Sequence, residues 1–103
     1  MADLIHHGIA IPSQQVREFC RRHHIRRLAL FGSILRDDFG PDSDIDVLVE
    51  FEPEHTPGFF FFALQDDLTA MFGRKVDLNT PGFLSDALRA RVLAESETVY
   101  VAA

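Results

Sequence analysis

Apolar and polar residues alternate along this chain in blocks whose length and spacing predict a mixed sheet flanked by helices. Short apolar runs without helical spacing predict four strands, at 27–31, 45–51, 75–79 and 98–101. Apolar residues at helical spacing predict helices at 13–24, between Gly58 and Gly73, and at 83–94, with a short helical turn at 33–37. The predicted fold class is therefore α/β (α+β), with a small mixed β-sheet flanked by helices.

Two of the predicted helices carry a clear apolar face. Ser13 is the predicted N-cap of the first helix. Its core face comprises Val16, Phe19 and Cys20. The predicted core face of the second helix comprises Phe60, Phe61, Leu64, Leu68, Met71 and Phe72. Residues 1–11 show little pattern, so we predict an N-terminal segment at 1–12, with His6 and His7 solvated, and one domain at 13–103.

Size, charge and cysteine content narrow the possible classes of protein. A chain of 103 residues is expected to form one domain with one core. The net charge of −6 argues against a protein that holds nucleic acid with its whole surface, so no direct nucleic-acid binding is expected. No apolar run is long enough to span a membrane, so no membrane association is expected. The single cysteine, Cys20, fits a reducing cytoplasm.

The candidate chemistry lies between the first two predicted strands. Gly32 and Ser33 follow the first strand, and Asp44 and Asp46 open the second. Residues two apart on a strand point to the same face, with Cα atoms about 6.6 Å apart, so the two carboxylates should project together. Convergent carboxylates suit Mg²⁺, which is bound by carboxylates and substrate phosphates. Gly32 lets the backbone approach a phosphate, and Ser33 can form a hydrogen bond with it.

This stretch resembles the nucleotidyltransferase signature of the DNA polymerase β superfamily, in particular that of the minimal nucleotidyltransferase (MNT) family. The family pattern is Gly-Ser-x-x-Arg-Gly followed by Ser-Asp-x-Asp and an apolar strand. The matching residues are Gly32, Ser33, Arg36, Ser43, Asp44 and Asp46. Asp37 replaces the glycine that follows the arginine, which is a departure from the pattern. Asp77, in Val-Asp-Leu after a Gly-Arg-Lys step, matches the third active-site carboxylate.

The resemblance covers roughly residues 13–101 and implies a polymerase β-like fold with an assigned role for each matching residue. It implies ATP as the substrate and Mg²⁺, as two ions, as the cofactor. The implied metal ligands are Asp44, Asp46 and Asp77. The implied catalytic residues are Ser33, Asp44, Asp46 and Asp77. The implied nucleotide-binding residues are Gly32, Ser33 and Arg36, although Arg36 could instead brace the loop through a carboxylate.

For function, the resemblance implies an MNT-type antitoxin that transfers AMP from ATP to a tyrosine of a partner HEPN ribonuclease toxin. Such a protein would form an oligomeric complex with its toxin. One alternative is a non-catalytic antitoxin of the same fold, and another is nucleotidyl transfer to a small molecule or RNA. The basic cluster at 21–27 is interpreted either as a solvated helix end or as a contact for triphosphate, RNA or an acidic partner.

Overall fold

The computed structural model describes residues 3–102, and within that range the chain forms three α-helices, six β-strands and three short 3₁₀ turns. The helices are α1 (Ser13–Arg22), α2 (Phe61–Phe72) and α3 (Asp86–Glu95). The strands are β1 (Leu4–His6), β2 (Ile9–Ile11), β3 (Ile25–Phe31), β4 (Ile45–Phe51), β5 (Val76–Asn79) and β6 (Glu97–Val101). The 3₁₀ turns are Gly32–Leu35, Gly58–Phe60 and Pro81–Phe83. Residues 1, 2 and 103 of the predicted segment and domain lie outside the described residues.

Four of the strands form one mixed sheet in the order β5-β4-β3-β6. The central strand β3 runs antiparallel to β4 and β6, whereas β4 and β5 run parallel to each other. Parallel neighbours need a crossover connection, and α2 lies in the segment that joins β4 to β5. The predicted mixed sheet is confirmed, and each predicted strand is present to within two residues of its predicted bounds.

The main core lies between one face of this sheet and the helices α1 and α2. Leu30, Val47 and Leu78 contribute from three adjacent strands and are buried. Ala29 and Leu48 point to the opposite face, because successive strand residues alternate, yet they are buried as well. Burial of both faces explains why the middle of β3 and of β4 reads as a continuous apolar run, whereas β5 alternates between buried and less buried residues.

Residues 4–11 form a β-hairpin, whereas the sequence predicted an unpatterned segment. β1 and β2 pair antiparallel around a two-residue turn at His7 and Gly8. Both turn residues have positive φ, 52° and 77°, as a type I′ turn requires. Ile11 is fully buried in the main core. The sequence analysis did not predict this hairpin because each strand has only three residues, too few to show a period of two.

Polar side chains near the amino terminus contact the rest of the domain. His6 Nε2 lies 2.9 Å from Glu97 Oε1 on β6, within hydrogen-bond distance, so His6 is not simply solvated as predicted. The backbone N–H of Ser13 donates to Asp3 Oδ1 at 3.0 Å. Asp3 therefore satisfies the first N–H of α1, and Ser13 is the first helical residue instead of the predicted N-cap.

The run of four phenylalanines is less buried than predicted. Four residues of the predicted face are buried: Phe61, Leu64, Leu68 and Phe72. Phe60 was predicted in the core but is 75% exposed, because it ends a 3₁₀ turn whose rotation per residue differs from that of the helix. Phe59 and Phe62 are 97% and 67% exposed. The spacing of apolar residues alone therefore overestimated the length of the core-facing side of α2.

α3 is shorter and more exposed than predicted. It begins at Asp86, because the backbone N–H of Leu88 donates to the side chain of Ser85, the N-cap, at 3.4 Å. Val92 is buried, but Leu88 is 45% exposed. The longest helix in the described range has 12 residues, and none of the helices there could cross a membrane.

Candidate functional site

Three adjacent strands bring the predicted carboxylates to one end of the sheet. Phe31, the last residue of β3, pairs with Asp46 on β4, and Asp46 in turn pairs with Asp77 on β5. Neighbouring strands lie about 4.8 Å apart, so the Asp46 and Asp77 side chains stand side by side on the face opposite the main core. Asp44 lies two residues before Asp46, immediately ahead of β4, and its charge is close enough to affect the pKa of Asp46. The three predicted carboxylates are thus brought together, whereas their chemical roles stay predictions.

Asp46 is the carboxylate most affected by this arrangement. Burial, followed by the negative charges of Asp77 and Asp44, raises the pKa of Asp46 to about 6, and Arg36 opposes the shift. The cause is general: a half-buried carboxylate loses hydration, and like charges disfavour its ionised form. The site therefore has an affinity for positive charge, which a proton or a bound cation can supply.

Gly32 lies directly against Asp46, and two features require a glycine there. Its φ is +75°, in the left-handed region that side chains disfavour. A Cβ at this position would also overlap Asp46 Oδ2. Ser33 follows in the first 3₁₀ turn, which Ile34 anchors by its complete burial. The predicted Gly-Ser step therefore adjoins the carboxylates.

The loop that leads into Asp44 is closed by internal hydrogen bonds and held by Arg74. The Gly40 N–H donates to Ser43 Oγ at 2.9 Å, and the Ser43 N–H donates to the Gly40 carbonyl at 3.1 Å. Arg74 donates to the carbonyls of Ser43, at 3.1 Å, and of Gly40. Its guanidinium also lies 4.6 Å from the centre of the Phe39 ring. Ser43 and Arg74 therefore position the start of β4 and Asp44.

Two side chains from α2 fix the strand that carries Asp77. β5 is an edge strand, and the N–H groups of Val76 and Leu78 are not used in its pairing with β4. They donate to Thr69 Oγ1 at 3.0 Å and to Gln65 Oε1 at 2.9 Å. Because these bonds flank Asp77 on both sides, they hold its backbone in register with Asp46.

The cations nearest to the carboxylates are exposed. Arg36 Nε lies 3.2 Å from Asp38 Oδ1, a contact of the kind given above as one of two alternatives for this residue. The same guanidinium also lowers the pKa of Asp46, which places its charge within reach of the site. Lys75 Nζ lies 3.7 Å from Asp44 Oδ2. Both cations are solvated enough to turn toward a bound anion.

A cleft of about 260 Å³ adjoins Gly32 on the side of α3. Its lining residues are Phe31, Gly32, Arg36, Leu88, Arg91, Val92 and Glu95. A larger concavity of about 540 Å³ lies beside α1, but it contains none of the predicted site residues. The smaller cleft borders the site at Gly32 and Arg36, and none of the three carboxylates is among its lining residues.

The basic cluster at 21–27 is partly neutralised within the protein. Arg26 and Arg27 each lie 3.1 Å from a carboxylate oxygen of Glu50. Arg27 also donates to Thr98 Oγ1 and Ser96 Oγ, both at 2.9 Å. Glu50 is four residues from Asp46, about 13 Å along an extended strand. These arginines therefore brace the opposite half of the sheet.

Sequence reasoning missed the residues that support the site. Arg74 was noted only as part of the Gly-Arg-Lys step, and neither Thr69 nor Gln65 was singled out. The available signal was a pair of polar residues four positions apart, Gln65 and Thr69, beside the apolar face of the helix that leads into this strand. Such a residue can supply an acceptor to an unpaired strand N–H.

This chain is similar to known nucleotidyltransferases in both sequence and structure. Residues 13–101 match the nucleotidyltransferase domain family. Protein adenylyltransferase MntA of Thermococcus cleftensis is 36% identical over 93 residues, which cover 89% of this chain and 90% of that protein. A solved chain provisionally described as a minimal nucleotidyltransferase is 34% identical, with a TM-score of 0.69, over 82% of this chain and 85% of that one.

A more distant structure shares the fold alone. It contains a tri-AMPylated Shewanella oneidensis HEPN toxin in complex with an MNT antitoxin. The matched chain is 20% identical, with a TM-score of 0.64, over 87% of this chain and 70% of that one. The likeness therefore concerns the arrangement of helices and strands.

Proposed function

Because the chain belongs to the nucleotidyltransferase domain family, we propose that it transfers AMP from ATP to a tyrosine of a HEPN-type toxin and thereby neutralises it. This membership confirms the family predicted from the Gly-Ser and Asp-x-Asp steps. The observation that carries the proposal is the grouping of Asp44, Asp46 and Asp77 beside Gly32 at one end of the sheet. Carboxylates can bind the metal ion that accompanies a triphosphate, and the adjacent glycine is the predicted phosphate-binding residue, so the group suits a reaction at phosphorus.

The proposed reaction is a displacement at the α-phosphate of ATP. An acceptor oxygen forms a bond to the α-phosphorus, the bond to the bridging oxygen breaks, and diphosphate leaves. Gly32 and Ser33 hold the departing phosphates, because backbone N–H groups and the Ser33 hydroxyl can donate to phosphate oxygens. Asp77 is the exposed carboxylate on the edge strand. We assign it the orientation of the acceptor hydroxyl and the receipt of its proton, since an incoming protein can reach it.

The three carboxylates have the oxygen donors that the predicted Mg²⁺ requires, but their ligand atoms do not all lie within 4.8 Å of one another, so a bound ion would have to draw them closer. Three clustered oxygen donors, one with its pKa raised to about 6, form a hard-ligand site that a divalent cation would relieve of repulsion. The residues that would hold the metal are Asp44, Asp46 and Asp77. When bound, Mg²⁺ would neutralise the triphosphate and the charge that develops during transfer. Arg36 and Lys75 supply further positive charge at the edge of the site.

We propose a protein as the acceptor of AMP because of the activities stated in the names of similar proteins. The Thermococcus protein is a protein adenylyltransferase, and the Shewanella complex contains a HEPN toxin that carries AMP. A chain of net charge −6 also suits a basic protein partner better than a nucleic acid. We place the reaction in the cytoplasm, where the free, buried thiol of Cys20 would stay reduced.

The test incubates the chain with ATP, Mg²⁺ and the toxin protein that co-purifies with it. Intact-mass spectrometry of the partner should show added AMP, and fragmentation should place it on a tyrosine. Asp46→Asn should slow the transfer at least about a thousandfold, because metal-assisted stabilisation is worth several kcal/mol and each 1.36 kcal/mol changes a rate tenfold. The matched control is Asp66→Asn, which removes an exposed carboxylate on α2 and should leave the transfer unchanged.

Other outcomes would favour the alternatives. If the partner binds and is neutralised without gaining AMP, the chain is a non-catalytic antitoxin. The same holds if Asp46→Asn protects cells from the toxin as well as the wild type does. If labelled AMP appears on RNA or on a small molecule and not on the partner, the acceptor class proposed above is wrong.

A further inference from the structure

A second group of metal-binding side chains lies at the opposite end of the sheet from the carboxylates. His24 immediately precedes β3, and Glu52 and His55 follow β4. One ligand atom from each of the three lies within 4.8 Å of the others. Glu52 is six residues beyond Asp46, about 20 Å along an extended strand. This group is therefore separate from the site of nucleotidyl transfer.

The backbone holds the three residues in a fixed relation. The Glu52 N–H donates to the His24 carbonyl at 2.8 Å, which ties the turn before β3 to the loop after β4. The His55 N–H donates to the Glu52 carbonyl at 3.1 Å, which closes a turn over Glu52. His24 and Glu54 both have positive φ, 56° and 69°. The approach of the two loops thus results from main-chain geometry and not only from flexible side chains.

The side chains present their donors together and to solvent. The rings of His24 and His55 are stacked, with centroids 3.9 Å apart and planes 17° from parallel. Glu52 Oε2 lies 3.8 Å from His24 Nδ1. The His24 and Glu52 side chains are 51% and 44% exposed, so an ion can enter without opening the core. We propose that His24, Glu52 and His55 bind a divalent transition-metal ion of the Zn²⁺ class.

The donor set selects this class of ion. Two imidazoles and one carboxylate are a ligand set that Zn²⁺ uses in proteins, with a fourth position left for water or another group. Mg²⁺ prefers an all-oxygen shell, so it should not compete here. Two nitrogens bound to one Zn²⁺ lie about 3.3 Å apart, from Zn–N bonds of about 2.0–2.1 Å. Because the lone pairs of imidazole lie in the ring plane, the stacked rings must also tilt away from each other to point at one ion, which rotation about the χ angles of these exposed side chains can supply.

Metal binding should join two loops that the fold already places together. The ion would link the turn between α1 and β3 to the loop between β4 and α2. A ligand that binds only the folded state raises its stability by mass action, so Zn²⁺ should raise the melting temperature. Loss of a ligand should remove this effect without changing the fold, because His24, Glu52 and His55 all lie outside the core.

The test titrates the untagged, full-length chain with ZnCl₂ in a calorimeter, in the presence of excess Mg²⁺ to occupy the carboxylate site. We expect one Zn²⁺ per chain, with affinity at least about tenfold weaker in His24→Asn and in His55→Gln, because even outer-shell changes cost ten- to a hundredfold. Asparagine is chosen at position 24 because it tolerates positive φ. Glu52→Gln should weaken binding in the same direction.

The matched control is His23→Gln, which removes a neighbouring imidazole that packs 4.7 Å from the ring of Phe19 and is not part of the cluster. It should keep wild-type Zn²⁺ affinity. Imidazole NMR signals of His24 and His55 should shift with Zn²⁺, whereas that of His23 should not. Each variant is first checked for a wild-type circular dichroism spectrum.

Three results would overturn the proposal: no binding heat at millimolar Zn²⁺, unchanged affinity in the double variant His24→Asn/His55→Gln, or loss of binding in Asp46→Asn instead. The last result would move the ion to the carboxylate site. None of these measurements depends on ATP or on a partner, so the failure of this proposal and the failure of adenylyl transfer can be told apart.

Discussion

Asp46 should destabilise the metal-free protein, and its replacement by asparagine should make the domain more stable. Asn has nearly the same shape but no charge, so the variant removes both the desolvation penalty and the repulsion from Asp77 and Asp44. The pKa of Asp46 is raised from 3.8 to about 6. At 1.36 kcal/mol per pKa unit this corresponds to an upper bound of about 3 kcal/mol. Because the side chain is only half-buried, solvent screening reduces the expected gain to about 1–2 kcal/mol.

The gain should depend on pH in a defined direction. A carboxyl whose pKa is higher in the folded state binds protons more tightly there, so it stabilises the fold in acid and loses that contribution as pH rises. For Asp46 the change falls between about pH 4, near the ordinary value, and about pH 6, the folded value. Asp46→Asn should therefore match the wild type below about pH 4 and exceed it fully above about pH 7.

Urea denaturation of both proteins in EDTA, at several values between pH 4 and pH 8, measures this difference directly. Asp66→Asn serves as the control, because Asp66 is exposed on α2 and should show no pH-dependent gain. Addition of Mg²⁺ should stabilise the wild type more than Asp46→Asn. A variant that is equally stable or less stable than the wild type at pH 8, or a gain that does not change with pH, would refute the reasoning.

Three further substitutions test the contact that fixes β5, the packing of the core and the backbone geometry at Gly32. Thr69→Val should lower the free energy of unfolding by about 1–3 kcal/mol, because the Val76 N–H loses its acceptor; Thr69→Ser, which keeps the hydroxyl, should recover most of that loss in the same urea titration. Phe61→Ala should lower the free energy of unfolding by about 3–5 kcal/mol, because Phe61 is buried. Phe59→Ala, at a 97% exposed site, should change it by no more than about 0.5 kcal/mol. Equal losses in the two variants would contradict the assigned start of α2. Gly32→Ala should lower both thermal stability and AMP transfer, because the added Cβ would overlap Asp46 Oδ2 and the φ of this residue is in the left-handed region. A rate of AMP transfer equal to that of the wild type would contradict the site geometry.

The parts of the fold that the sequence predicted are those with a strong local signal. The buried runs of β3 and β4 are apolar on both faces, and no helical spacing competes with them. The same-side projection of Asp44 and Asp46 follows from the two-residue period of a strand. The position of Asp77 beside Asp46 has no such local cause, because it depends on the parallel register of β4 and β5. Only the resemblance to a known family suggested it.

The failures have equally specific causes. The hairpin at residues 4–11 depends on the positive φ of His7 and Gly8 and on packing of Ile11, neither of which gives a periodic pattern. Phe60 was misplaced because a 3₁₀ turn precedes α2. Arg74 was overlooked because its partners are backbone carbonyls about thirty residues earlier in the chain. Such long-range hydrogen bonds cannot be predicted from the pattern of apolar and polar residues.

The same supporting contacts bear on whether the carboxylate site is active or only a remnant. Arg74 and Thr69 hold two segments so that three mutually repelling carboxylates face one another, and Gly32 leaves the space that Asp46 occupies. A protein that acted only by contact would gain stability from any change that relieved this repulsion. Local destabilisation that the surrounding structure maintains is typical of functional sites. The arrangement therefore supports the proposed site for a cation and a nucleotide, which would use the charge that otherwise weakens the fold.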